Sequence, residues 1–161
     1  MNFLDLEINQ KNYIKIIVLS IFIVALILVL YYIELLVPKK FTLEDDTKVV
    51  DFNEQEELVV HIDILTPPGK KIEIVGYAYL TDDEVFTVDC SYVLRNKESG
   101  EMYLLKTRHE KNVNVPEVYP YAGMHTRFLT LGIEKGNYDI CVLYKNNENN
   151  IFKNTGINVE I

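Results

Sequence analysis

Polar and apolar positions follow two different patterns along this chain, and they change near residue 38. From Ile16 to Ile33 there is almost no polar position at all. The run IIVLSIFIVALILVLYYI holds eighteen residues with no charge and one polar side chain, Ser20. As a helix it is about 27 Å long at about 1.5 Å per residue, close to the roughly 30 Å hydrocarbon core of a bilayer. A helix buried in a water-soluble domain normally keeps a polar face, and this run has none. A cleavable leader has a shorter apolar region, about 7–15 residues, that ends at small residues. Here the run leaves through Tyr31-Tyr32-Ile33-Glu34-Leu35-Leu36-Val37-Pro38, with nothing small near the exit. The pattern predicts an uncleaved transmembrane helix over 16–37, following a tail at 1–15. Tyr13, Tyr31 and Tyr32 suit headgroup level, and Pro38 stops the helix.

Beyond Pro38 the period becomes two. Residues 38–57 are acidic around one apolar patch, Val49-Val50, and read as a stalk running into an edge strand. From residue 58 onward, alternating segments are separated by turn signals. Leu58, Val60, Ile62 and Ile64 alternate with Val59, His61, Asp63 and Leu65 up to the break at Thr66-Pro67-Pro68-Gly69. Lys71–Leu80 carries Ile72, Ile74, Gly76, Ala78 and Leu80 on one side. Strands are further predicted over 85–95, 101–107, 125–131, 138–144, 151–153 and 157–161. Asn96–Gly100 is the hairpin turn, and 108–123 is a long crossing loop. The fold class is therefore all-β: an immunoglobulin-like β-sandwich over 58–161, preceded by one N-terminal transmembrane α-helix.

Charge narrows the partners. From Lys39 onward there are 14 cationic and 21 acidic side chains, a net of −7. Such a field repels phosphate backbones, so nucleic acid is excluded as a partner, and polyanionic polymers need a bridging cation. Lys11 and Lys15 precede the span while Lys39 and Lys40 follow it, so flanking charge alone is even. The short basic tail favours a cytoplasmic N-terminus and an extracytoplasmic domain at the cell membrane. The two cysteines, Cys90 and Cys141, invite a disulfide in an exported domain. Alternation argues against it: Cys90 falls with the apolar set Phe86, Val88, Tyr92 and Leu94. Cys141 lies opposite the apolar set Tyr138, Ile140, Val142 and Tyr144. Cysteines on opposite sheet faces cannot meet disulfide geometry, so two unpaired thiols are expected.

No catalytic constellation is visible. His61, His109 and His125 have no metal spacing, and Asp82-Asp83-Glu84 lacks the ligand-and-glycine pattern of a calcium loop. No cofactor and no metal is expected. The candidate binding surface is aromatic. Tyr77 and Tyr79 fall on the polar side of their strand, and Tyr119 and Tyr121 flank Pro120 in the long loop. Arg108, His109 and Arg127 can supply donors beside them. Tyrosines combine a flat apolar body with a hydroxyl, which suits a protein partner or a glycan; equally, they can cover the second sheet.

Four stretches in order carry a family resemblance: Ile72-x-Ile74-x-Gly76-Tyr77-Ala78; Tyr92 to Tyr103, which reads YVLRNKESGEMY; Tyr121-Ala122-Gly123-Met124; and Glu134-Lys135-Gly136-Asn137-Tyr138-Asp139-Ile140. Their order and spacing resemble a β-sandwich module of Gram-positive envelope-polymer proteins. That module occurs beside, or fused to, transferases that build teichoic-acid-like and capsular polymers. Tyr77 stands where the module's pattern has tryptophan, and Met124 where it has phenylalanine. The resemblance implies a non-catalytic accessory module in envelope polysaccharide assembly, bound to an envelope protein or a glycan polymer, with the chemistry left to the transferase. The rival readings are an enzyme acting on that polymer and a structural subunit of an export complex.

Overall fold

The computed structural model describes residues 3–51, 58–81, 89–111, 114–115, 119, 121–146 and 149–161, with helix side chains from Asn12 onward. The chain divides into two compact units, Met1–Leu35 and Leu36–Ile161. The first is one helix, α1, Phe3–Leu36. Within it, Asn12–Leu36 is long and apolar enough to cross a membrane, with mean hydropathy 3.1. Its one polar interior side chain is satisfied locally, because Ser20 Oγ donates to the Ile16 carbonyl at 2.8 Å. That bond spares the hydroxyl an unpaired position in an apolar medium.

The second unit is β throughout its described residues. Ten strands appear there: β1 Lys39–Phe41, β2 Lys48–Val50, β3 Leu58–Leu65, β4 Lys71–Leu80, β5 Asp89–Asn96, β6 Met102–Leu104, β7 Thr107–Glu110, β8 Gly123–Leu129, β9 Asn137–Lys145 and β10 Asn150–Glu160. They form a six-stranded sheet, β1-β6-β5-β9-β10-β2, and a four-stranded sheet, β3-β4-β8-β7. β2 runs parallel to β10 and the other pairings are antiparallel. One apolar core joins the two sheets. Ile72, Ile74, Met124 and Phe128 of the smaller sheet share it with Tyr92, Leu94, Tyr138 and Ile140 of the larger. Period two in β4 puts every second residue from Ile72 to Leu80 into this core.

The larger sheet is covered on its other face too. Val93, Cys141, Leu143 and Phe152 form a second buried cluster there, backed by Phe41, Leu43, Met102 and Leu104. Every residue of β9 from Tyr138 to Tyr144 is consequently buried. Cys90 belongs to the inner core and Cys141 to the outer cluster, and both thiols are free. The alternation reading of the cysteines holds. Burial pushes the Cys141 thiol up to about 12, and it pushes Cys90 up as well, so neither is a ready nucleophile.

Four expectations change. The strand predicted over 101–107 is two strands in different sheets, β6 and β7. The step between them is fixed by Leu105, 1% exposed, whose backbone N–H donates to the Tyr92 carbonyl at 2.9 Å. Thr107 Oγ1 donates to the Leu105 carbonyl at 3.1 Å and accepts from Tyr92 N–H at 3.0 Å. The loop predicted from residue 108 therefore starts only after Glu110. The two terminal strands are one, β10, with a bulge between Asn154 and Asn158 where Gly156 takes φ 75°. The stretch read as a stalk supplies β1 in addition to the edge strand expected at Val49-Val50, which is β2, and these are the two edges of the larger sheet. The predicted strand at 85–95 is present as Asp89–Asn96; Phe86, Val88 and the acidic triplet at 82–84 lie outside the described residues.

Candidate functional site

The outer face of the four-stranded sheet carries the chemistry that the sequence places on it. β4 turns Glu73, Val75, Tyr77 and Tyr79 to this face, all half-buried. Register sets His61 of β3 beside Tyr77. On the other side, His125 and Arg127 of β8 oppose Val75 and Glu73, and Arg108 of β7 opposes His125.

At one end the rings form a ladder. His61 and Tyr77 lie 5.3 Å apart, Tyr77 and Tyr79 6.2 Å, and Tyr79 and Tyr119 4.5 Å, centroid to centroid. The interplanar angles are 30°, 20° and 17°: His61 is tilted against Tyr77, and the two tyrosine pairs are stacked. Tyr119 reaches the ladder because its loop is pinned: Ala122 N–H donates to the Tyr119 carbonyl at 3.1 Å, and Ala78 N–H donates to the Ala122 carbonyl at 3.0 Å. Tyr119 is itself 8% exposed, so it forms the covered end of the ladder. Tyr121 stands outside it, half exposed, with Lys111 Nζ 5.6 Å from its ring centre.

At the other end the charges are linked. Glu73 Oε1 accepts from Arg127 at 2.7 Å and meets His125 Nε2 at 2.7 Å. His125 Nδ1 lies 3.3 Å from Arg108, which donates to Glu110 Oε2 at 3.0 Å. The Arg127 hydrogen bond, and then His125, hold the Glu73 carboxyl below its ordinary range. Both ring nitrogens of His125 are thus engaged. Among the described residues no group of three or more His, Cys, Asp or Glu side chains is arranged to hold a metal ion. This arrangement suits non-covalent recognition: aromatic rings and hydroxyls at one end, a charge-balanced network at the other.

Of the residues singled out from the sequence, Tyr77, Tyr79 and Tyr119 meet in the ladder, and Arg108 and Arg127 meet in the ion network. Tyr121 joins neither. His61, Glu73, Glu110 and His125 complete the face and were not among the candidates. Their signal was available for Glu73, which alternates with the buried positions of β4 alongside Tyr77. It was weaker for His61 and His125, whose place depends on strand register. No protein-family model, no curated protein and no solved structure matches this chain.

Proposed function

We propose that this protein is a membrane-anchored, non-catalytic binding module. Its β-domain lies outside the cell membrane, its N-terminus is cytoplasmic, and it engages a protein partner in envelope-polymer assembly. The observation that carries the reading is the outer face of the four-stranded sheet, where the aromatic ladder and the charge-balanced network lie side by side. Such a face offers tyrosine area with its charges already paired, a favourable composition for a protein interface. The net charge of −7 beyond residue 38 opposes direct capture of a polyanionic polymer, which favours a protein of the assembly machinery as the partner. The link to envelope polymers rests on the resemblance of the four stretches from Ile72 to Ile140. The common core of the two sheets and the sheet change at Leu105 support an immunoglobulin-like sandwich as the finer description of the fold. Lys11 and Lys15 support the orientation.

The test uses the full chain, tagged, in a Gram-positive host and extracted in mild detergent. Truncating a hot-spot tyrosine costs about 2 kcal/mol or more, roughly thirtyfold in affinity. Tyr77→Ala is expected to lose a co-purifying envelope-assembly protein that the wild type retains, with an unchanged melting curve. Retention of the same proteins by both Tyr77→Ala and Tyr79→Ala would remove this face from the proposal.

A further inference from the structure

The stretch between the helix and β3 is built unlike the rest of the β-unit. β1 pairs with β6 at one edge of the six-stranded sheet, and β2 pairs with β10 at the opposite edge. Residues 42–47 therefore carry the chain from edge to edge, and Leu43 packs on the outer cluster of Val93, Cys141, Leu143 and Phe152. The two ends of this strap are held differently. At the β2 end, Val50 is 1% exposed and belongs to the inner core. At the β1 end, Lys39 and Lys40 are exposed and Phe41 is only half-buried. The pairing there is three residues long, as it is for β2, and is helped by an ion pair between Lys40 and Glu101. A cavity of about 290 Å³ opens beside it, lined by Lys40, Phe41, Thr42, Gly100, Glu101 and Met102.

Between the ends, the strap is fastened by polar hooks. Lys145 Nζ donates to Glu44 Oε1 at 2.6 Å, and Asn150 Nδ2 donates to Glu44 Oε2 at 3.2 Å and Asp46 Oδ1 at 3.1 Å. A turn follows, with Thr47 N–H donating to the Glu44 carbonyl at 3.0 Å. Thr47 Oγ1 is buried there with no hydrogen-bond partner. A short pairing, an adjoining cavity, exposed ion pairs and an unsatisfied hydroxyl are features of a low-stability unit. The inner core contains none of the strap before Val50.

We propose that residues 39–46 form a releasable strap, hinged at Thr47, that opens without unfolding the two-sheet core and uncovers the apolar outer cluster of the six-stranded sheet. The weak end is the end that continues into α1, so a pull on the anchor acts first on β1. This device is independent of the partner face described above, which lies on the other sheet.

Cys141 belongs to the outer cluster that Phe41 and Leu43 pack against, and Cys90 lies in the inner core, so the chain contains its own two reporters. The full chain in detergent micelles is treated with a thiol reagent under native conditions, and labelling of each cysteine is followed by peptide mass spectrometry. Cys90 measures global unfolding. In the wild type Cys141 is expected to label faster than Cys90. Leu43→Ala with Glu44→Gln should raise the Cys141 rate by about tenfold, the equivalent of roughly 1.4 kcal/mol of strap stability, and leave the Cys90 rate unchanged. Phe41→Cys with Met102→Cys, a directly facing pair, should on oxidation slow Cys141 labelling to the Cys90 rate. Equal rates at the two cysteines in the wild type would overturn the proposal. So would an oxidised Phe41→Cys, Met102→Cys protein in which Cys141 still labels ahead of Cys90.

Discussion

Gly76 sits between Val75 and Tyr77 in β4, where β3 bulges past it, and alanine there tests how closely the two strands must approach. A Cβ at position 76 would stand 2.1 Å from the His61 carbonyl oxygen and 2.8 Å from Tyr92 Oη. Even the close C–H···O contacts between strands sit at roughly 3.3 Å, so β3 must move away by about 1 Å or β4 must twist. The Tyr92 hydroxyl is buried without a hydrogen-bond partner, and it has to shift as well. Overpacking of this kind costs about 1–3 kcal/mol. Alanine returns roughly 0.5–1 kcal/mol of the entropy that glycine loses in a strand. Because the closest clash is with backbone, the cost belongs at the upper end of that range, and a net loss of about 2 kcal/mol is expected for Gly76→Ala, together with separation of the His61 and Tyr77 rings. The chain has eleven tyrosines and no tryptophan, so urea unfolding of the full chain in micelles can be followed by tyrosine near-ultraviolet dichroism. The reference is Gly69→Ala: its Cβ meets nothing closer than the Pro67 carbonyl at 3.9 Å, and the residue is exposed. That change should stay within about 0.5 kcal/mol of wild type. If Gly76→Ala unfolds at the wild-type urea concentration with an unchanged slope, β3 does not approach β4 closely enough to exclude a Cβ.

Features set by short-range chemistry were legible in the sequence, and features set by register were not. The helix follows from an uninterrupted apolar run. β4 follows from strict alternation over Lys71–Leu80. The β5–β6 turn follows from Asn96, whose Oδ1 accepts from the Glu98 and Ser99 amides at 2.9 and 3.0 Å, with Gly100 at φ 74°. The placement of the two cysteines on opposite faces followed from period two alone, whereas the burial of Cys141 depends on the outer cluster. The sheet change at Leu105 was hidden because the apolar pattern runs on through it: Leu105 plugs the core as a strand residue would, but the bonds that redirect the chain go to Tyr92 and Thr126, far away in sequence. β1 was hidden for a related reason, and β2 was signalled only by its apolar pair Val49-Val50. Three-residue edges carry no period, and their partners are Met102–Leu104 and Ile151–Lys153. The candidate site divides in the same way. The tyrosines were visible by type and alternation, whereas the joining of Glu73, His125 and Arg108 required the β4-β8-β7 order.

Two further outcomes are expected. Phe128 is 2% exposed in the shared core, so Phe128→Ala should cost about 3–5 kcal/mol, read as a fall in urea midpoint; a shift under about 1 kcal/mol would place that ring outside the core. Acid stability reports on the ion network. The Glu73 carboxyl is held below its ordinary 4.5 chiefly by the Arg127 hydrogen bond and then by His125. The unfolded chain therefore takes up this proton at a higher pH than the folded one does. The stabilisation is complete above about pH 4.5 and is lost as pH falls through the lower folded value. Glu73→Gln removes that contribution, so wild type should exceed the variant in urea midpoint at pH 7, and the gap should close as pH falls below the ordinary value. Glu101, lowered in the same direction by Lys40 and Tyr103, is present in both proteins and cancels in the comparison. Because Arg127 is 46% exposed, added salt should narrow the gap at pH 7. A gap that stays constant from neutral to acid pH would mean that Glu73 stabilises the face by packing and not by its charge.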